Sequence, residues 1–233
     1  MRLRLLRLLS VGLCVAIALV HAVYADGPAD NNSEQVRQIP PAGVELPEGD
    51  RARLTLGLEA LAAMIDQARS QPGPVAHLLP DVEIFHRAVR QAVEFGEFFR
   101  PEEIRWADEL LAEGMARAQA LLDGDAPWTR QTGLVVRGYR SRLDDTVQPY
   151  GLVIPDDYDF QGTVPSRCDL WFHGRGETMV VLQFIHQRMS QPGAIKPTGG
   201  IVLHPFGRYS NAFKFAGEVD VWEALEHADA IPH

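Results

Sequence analysis

Cysteine is nearly missing from this chain: its 233 residues carry two, Cys14 and Cys168. That is too few for a disulfide framework or a four-cysteine zinc site. Basic charge is short as well, with 22 Lys and Arg against 31 Asp and Glu and a formal net charge of −9. No nucleic-acid partner is expected, because displacing counterions from phosphate takes a clustered basic face. The chain also lacks a Walker or dinucleotide-type glycine loop and the H-E-x-x-H spacing, so neither a cofactor nor a metal is expected. Beyond residues 8–20 no apolar run approaches the roughly 20 residues of a membrane-spanning helix, and no stable membrane insertion is expected. The composition itself is ordinary, 46% hydrophobic and 23% charged, which excludes collagen-like and wholly disordered chains.

The first 25 residues read as an address. Arg2, Arg4 and Arg7 precede the apolar run, and Val23-Tyr24-Ala25 closes it with small or aliphatic residues at −3 and −1. A basic start, a short apolar core and this exit describe a cleavable secretory signal, so the mature protein is expected to be secreted or periplasmic. Cleavage removes Cys14 and leaves Cys168 alone. Cys168 lies in the apolar stretch Cys168-Asp169-Leu170-Trp171-Phe172, which predicts an inert core cysteine.

Residues 26–47 are rich in Asp, Asn, Pro and Gly and read as a linker. Residues 48–126 form an all-helical segment. Leu54, Leu58, Leu61, Ile65 and Ala68 recur at alternating spacings of four and three, which is one face of a helix. Val82, Phe85, Val89 and Val93 repeat the pattern. A third helix opens at Pro101-Glu102-Glu103, with proline and acids in its first turn, and buries Ile104, Ala107, Leu111, Ala118 and Leu122. None of these helices carries catalytic spacing.

From residue 128 the character changes. Residues 133–141 and 149–154 are β-rich and joined by Leu143-Asp144-Asp145-Thr146, which predicts an antiparallel pair. Residues 167–172 predict a third strand buried on both faces. Residues 178–189 predict a helix, 200–204 a fourth strand and 219–228 a last helix. The expected fold class is α/β, with an antiparallel start followed by parallel strands and crossover helices.

In such sheets ligands bind outside the carboxyl ends of the strands. Two loops sit there. His173-Gly174-Arg175-Gly176 follows the third strand, and its glycines allow main-chain N–H groups to approach a ligand as an oxyanion hole requires. The same glycines also suit a plain tight turn. After the fourth strand, His204-Pro205-Phe206-Gly207-Arg208-Tyr209-Ser210-Asn211 gathers Arg208, Tyr209 and Asn211 as candidate substrate-binding side chains. Glu218 and Asp220 read as acids at the positive end of the last helix. His77, His86, His186 and His227 show no metal spacing and read as surface or satisfied core histidines.

These residues resemble a known family. The Asp144-Asp145-Thr146 turn, the strand ending in Pro155, the Leu170-Trp171-Phe172-His173-Gly174-Arg175-Gly176 stretch and the segment from His204 to Leu225 look like the beginning of an α/β-hydrolase domain. The closest branch is prolyl-oligopeptidase-like, including secreted bacterial members with a helical segment in front. The resemblance spans residues 130–231. It implies an incomplete hydrolase sheet over residues 128–233, a serine acyl-enzyme mechanism acting on a peptide or ester substrate, and an oxyanion turn at His173, Gly174, Arg175 and Gly176. The family's nucleophile turn, G-x-S-x-G, with its following acid and histidine, has no counterpart in residues 1–233. The chain therefore reads as the front portion of an exported serine hydrolase, inactive in acyl transfer by itself. The alternative is a non-catalytic α/β module that binds carbohydrate or protein. A metal-dependent hydrolase has no ligand cluster to support it.

Overall fold

The computed structural model describes residues 32, 34, 36–71, 77–161, 166–194 and 199–229. Residues 1–25, read above as a secretory signal, and most of the 26–35 stretch lie outside them. Three amphipathic helices come first: α1 (Glu48–Ser70), α2 (Pro80–Phe95) and α3 (Glu102–Leu122). Their apolar stripes are the ones the spacing predicts, with Leu54, Leu61 and Ile65 of α1, Val82, Phe85 and Val89 of α2, and Ala107, Leu111 and Ala118 of α3 all buried. Gly96, at φ 66°, ends α2 in the left-handed conformation that glycine adopts without strain.

The remaining elements are β1 (Gly133–Arg140), β2 (Val147–Ile154), β3 (Arg167–Leu170), α4 (Val181–Ser190), β4 (Gly200–Pro205) and α5 (Ala216–Asp229). They form one four-stranded mixed sheet in the order β1-β2-β4-β3. β1 and β2 are an antiparallel hairpin running from Gly133↔Ile154 to Arg140↔Val147. β2 is antiparallel to β4, and β4 is parallel to β3, so α4 is the crossover between two parallel strands. The α/β class expected from the sequence is the class observed.

One face of the sheet carries α2 and α4. Gly138 makes the α2 contact possible: a Cβ there would stand 2.2 Å from the Pro80 carbonyl oxygen. The other face carries α5, which reaches β4 and β1. The helices and the sheet share one hydrophobic core, from Leu54 through Phe85 and Leu110 to Tyr150, Leu182 and Leu203. Asp81, at the start of α2, ties helix to sheet. It is fully buried and accepts hydrogen bonds from Trp128 Nε1 (2.9 Å), Arg137 Nε (2.9 Å) and the Gly138 N–H (2.6 Å).

Three expectations are corrected. The third strand is not buried on both faces. It stops at Leu170, with Arg167 and Cys168 exposed, and Trp171 and Phe172 beyond it are 37% and 47% exposed. The physical reason is position, since among the described residues β3 is an edge strand paired only with β4. Cys168 is consequently exposed rather than a core residue. Partial burial of its sulfur, with Asp169 and Asp229 nearby, still pushes the thiol upward, which keeps the reactive thiolate scarce. The helix read from residue 178 begins at Val181, because Glu177 and Thr178 belong to a turn closed by Met179 N–H donating to the Gly176 carbonyl at 3.1 Å.

Candidate functional site

The two loops singled out by the sequence do meet, side by side, past the carboxyl ends of β3 and β4. His173 ties them first: Nε2 lies 2.9 Å from the Phe206 carbonyl oxygen, and Nδ1 lies 2.9 Å from that of Gly174. Ser210 ties them again, because its Oγ accepts from the Gly176 N–H at 2.9 Å and donates to the Gly176 carbonyl at 2.7 Å. The Tyr209 hydroxyl donates to the Glu177 carbonyl as a third link. Between the loops lies a cavity of about 560 Å³ lined by His173, Gly174, Arg175, Glu177, Tyr209, Ser210, Ala212 and Phe213. A neighbouring cavity of about 450 Å³ shares Ile39 and Tyr209 with it and reaches Arg87 and Gln91 of α2, Glu97, Asp144, Gln148 and Arg208.

The loop after β4 is held in a strained backbone. Arg208, Tyr209, Ala212, Phe213 and Phe215 all have positive φ, between 53° and 87°. Each costs on the order of 1 kcal/mol and persists only where the surroundings over-determine it. Asp220 supplies much of that hold. The sequence places it at the start of the last helix, but it is fully buried inside the fold. It accepts from the Gly207 N–H at 2.7 Å and from the Tyr139 hydroxyl, and Arg208 Nε stands 3.6 Å away. Burial pushes its carboxyl upward against the pull of those donors.

The predicted substrate-binding side chains are largely spent on this scaffold. Arg208 pairs with the Asp144 carboxylate and donates to Ser141 Oγ at 2.7 Å. That contact holds the Asp144 carboxyl well below the usual carboxylate range. Asn211 Oδ1 accepts from the Phe213 N–H at 2.9 Å and packs where a Gly217 side chain would otherwise be. Tyr209 is the exception in part, since it lines both cavities while its hydroxyl is engaged.

Within the oxyanion candidate the residues separate. The Gly176 N–H is occupied by Ser210, and the His173 ring by main-chain carbonyls. Among the described residues the N–H groups of Gly174 and Arg175 have no acceptor. Gly174 lacks a left-handed φ, and a Cβ there would meet nothing within 4 Å. The fold therefore does not require glycine at 174.

Sequence reasoning missed Asp144, Ser141, Gln148 and Arg87 as parts of this region. Asp144 carried a signal in its turn motif, but its pairing with Arg208 bridges sequence positions 64 apart. Gln148 is 1% exposed with an unpartnered Oε1, and Arg87 reaches the Val147 carbonyl. Nothing local marks either residue. Among the described residues no cluster of three or more His, Cys, Asp or Glu is placed to hold a metal ion, and no helix is long and apolar enough to cross a membrane. Compared with protein-family models, curated proteins and solved structures, the chain matches none.

Proposed function

We propose that this chain is the front portion of an exported serine hydrolase, a peptidase or esterase of prolyl-oligopeptidase-like type, and that its part in the chemistry is an oxyanion-stabilising turn. The observation that carries this reading is the pair of unengaged N–H groups at Gly174 and Arg175, beside a cavity and directly after the third strand of an α/β sheet. In α/β-hydrolases one oxyanion donor comes from the loop between the third strand and the following helix. As an acyl carbonyl is attacked, its oxygen gains negative charge, and aimed N–H donors stabilise it by on the order of a hundredfold in rate or more. The exposed edge of β3 and the exposed Trp171 and Phe172 support further strands beside it. Nucleophile, acid and base lie outside residues 1–233 in this reading. Secretion rests on the basic, then apolar, first 25 residues.

The first test reads the encoding locus past the codon for His233. A frame that continues into an apolar strand, G-x-S-x-G, an acid and a histidine sustains the reading, and an in-frame stop overturns it. The second test uses the encoded hydrolase. Arg175→Pro deletes one unengaged donor and is expected to lower kcat for an activated ester on the order of a hundredfold with KM little changed. An unchanged kcat removes the turn from the chemistry.

One set of observations favours the second reading, a non-catalytic module for carbohydrate or protein. Arg208, Asn211 and the Gly176 N–H are all bound to their own chain, which is how a rigid recognition surface is built.

A further inference from the structure

Another cavity, about 300 Å³, shares the His173-Gly174-Arg175 turn with the site above, and Arg188 of α4 and His204 of β4 form part of its wall. Arg188 is 7% exposed and His204 4%. Arg188 Nη1 lies 2.9 Å from His204 Nδ1. A guanidinium only donates, so Nδ1 accepts and the ring proton sits on Nε2. Two donors then remain without an acceptor, Nε2–H of His204 and Nε–H of Arg188. Both are closed to a molecule the size of water, so what the cavity offers a ligand oxygen is the guanidinium charge of Arg188 rather than these two N–H groups.

Arg188 is also a cation without a counterion. The other two buried arginines each have a carboxylate, Arg117 with Glu113 at 2.7 Å and Arg137 with Asp81 at 2.9 Å. Arg188 has none within ion-pair distance among the described residues, and no Asp or Glu lines the cavity. An uncompensated buried charge is strongly unfavourable, yet the chain is shaped to hold this one. Gly151, the cross-strand partner of His204, leaves room for the arginine stem to lie against the sheet, where a Cβ would stand 2.7 Å from Arg188 Cγ. Gly193, at φ 86°, keeps a side chain off the pair, since a Cβ there would come within 3.2 Å of His204 Cε1 and 3.6 Å of Arg188 Nη1. Trp171, Met179 and Phe184 supply an apolar wall.

We infer that this cavity binds a carboxylate carried on a short apolar stem, its charge meeting the uncompensated guanidinium of Arg188 in the wall and its stem lying along Trp171, Met179 and Phe184. The inference does not rest on acyl transfer. The carboxylate belongs either to a free small acid or to the C-terminus of a peptide.

Calorimetric titration of the mature chain distinguishes these. Phenylacetate probes the free acid, N-acetyl-Ala-Leu the peptide end, and phenylacetamide and N-acetyl-Ala-leucinamide remove the charge from each. Saturable binding of phenylacetate alone assigns a free acid, and binding of the peptide acid assigns a chain end. Each amide is expected to bind weaker by on the order of tenfold or more, as is the acid to Arg188→Gln. Should Arg188→Gln fail to fold, the ¹⁵N resonance of His204 Nε2 in the unsubstituted protein supplies the readout, and it is expected to move on titration. No saturable binding of either acid, equal binding of acid and amide, or a stationary His204 resonance at saturation overturns the proposal.

Discussion

At the scale of single residues, buried charge decides most. Asp81 holds three donors from Trp128, Arg137 and Gly138 with no exposure of its own. Removing it leaves the Arg137 guanidinium buried and unpaired, so Asp81→Ala is expected to lower stability by about 3–5 kcal/mol in urea denaturation. The exposed pair Arg53–Asp50 (2.6 Å) offers the contrast, and Asp50→Ala is expected to cost under about 1 kcal/mol. His204 supplies a pH dependence. Burial first, then Arg188 and His173, push it from 6.5 down to about 4. A folded-state value below the unfolded one means the unfolded chain binds protons first. The contribution is therefore intact above pH 6.5 and is lost as pH falls towards 4, by about 3 kcal/mol in all. His86, His186 and His227 are lowered too, each by burial first, so the acid limb is shared. His204→Phe is expected to flatten it between pH 6.5 and 4, and an unchanged limb contradicts the assignment. Asp144 acts at lower pH: its depressed carboxyl contributes above 3.8 and loses that contribution below it, so Asp144→Asn is expected to lower stability at pH values above about 4 and to converge with the unsubstituted protein as pH falls further.

At the scale of elements, close approach is the controlling variable. α2 rests on β1 because residue 138 has no side chain, and a methyl group at that point would meet the Pro80 carbonyl at 2.2 Å, which is backbone and cannot rotate away. Gly138→Ala is expected to cost about 1–3 kcal/mol. Gly174→Ala is the matched comparison, because open space surrounds it, and it is expected to stay within about 0.5 kcal/mol. Equal melting shifts for the two variants would sink this account of the helix–sheet contact. The hairpin turn and α5 form a second such joint, through Ser141 Oγ donating to Glu223 Oε2 at 2.6 Å and Arg142 donating to Glu226 at 2.6 Å. That joint positions Asp144 to meet Arg208.

At the scale of the whole molecule, helical segment and sheet share a single core, so they are expected to unfold together. Trp106 and Trp128 report on the helical side and far-ultraviolet circular dichroism on all elements. Their urea transitions are expected to coincide, and separate midpoints would show two independent units.

The sequence by itself determined the helices, the hairpin, the α/β class and the two loops that come together, because each depends on periodicity or turn chemistry within a few neighbouring residues. Its misreadings have a common cause. An apolar run at 167–172 does not tell whether a strand lies centrally or at an edge, since that depends on which strands flank it. An aspartate two residues after Glu218 looks like a helix-end charge until β1 and Gly207 close over it. Only the tertiary structure decided that Arg208 and Asn211 serve the scaffold, that Gly174 and Arg175 keep free donors, and that Arg188 and His204 are buried together without a carboxylate. Those facts are hydrogen-bond partnerships between residues far apart in the chain, and no local pattern encodes whether a donor finds its acceptor.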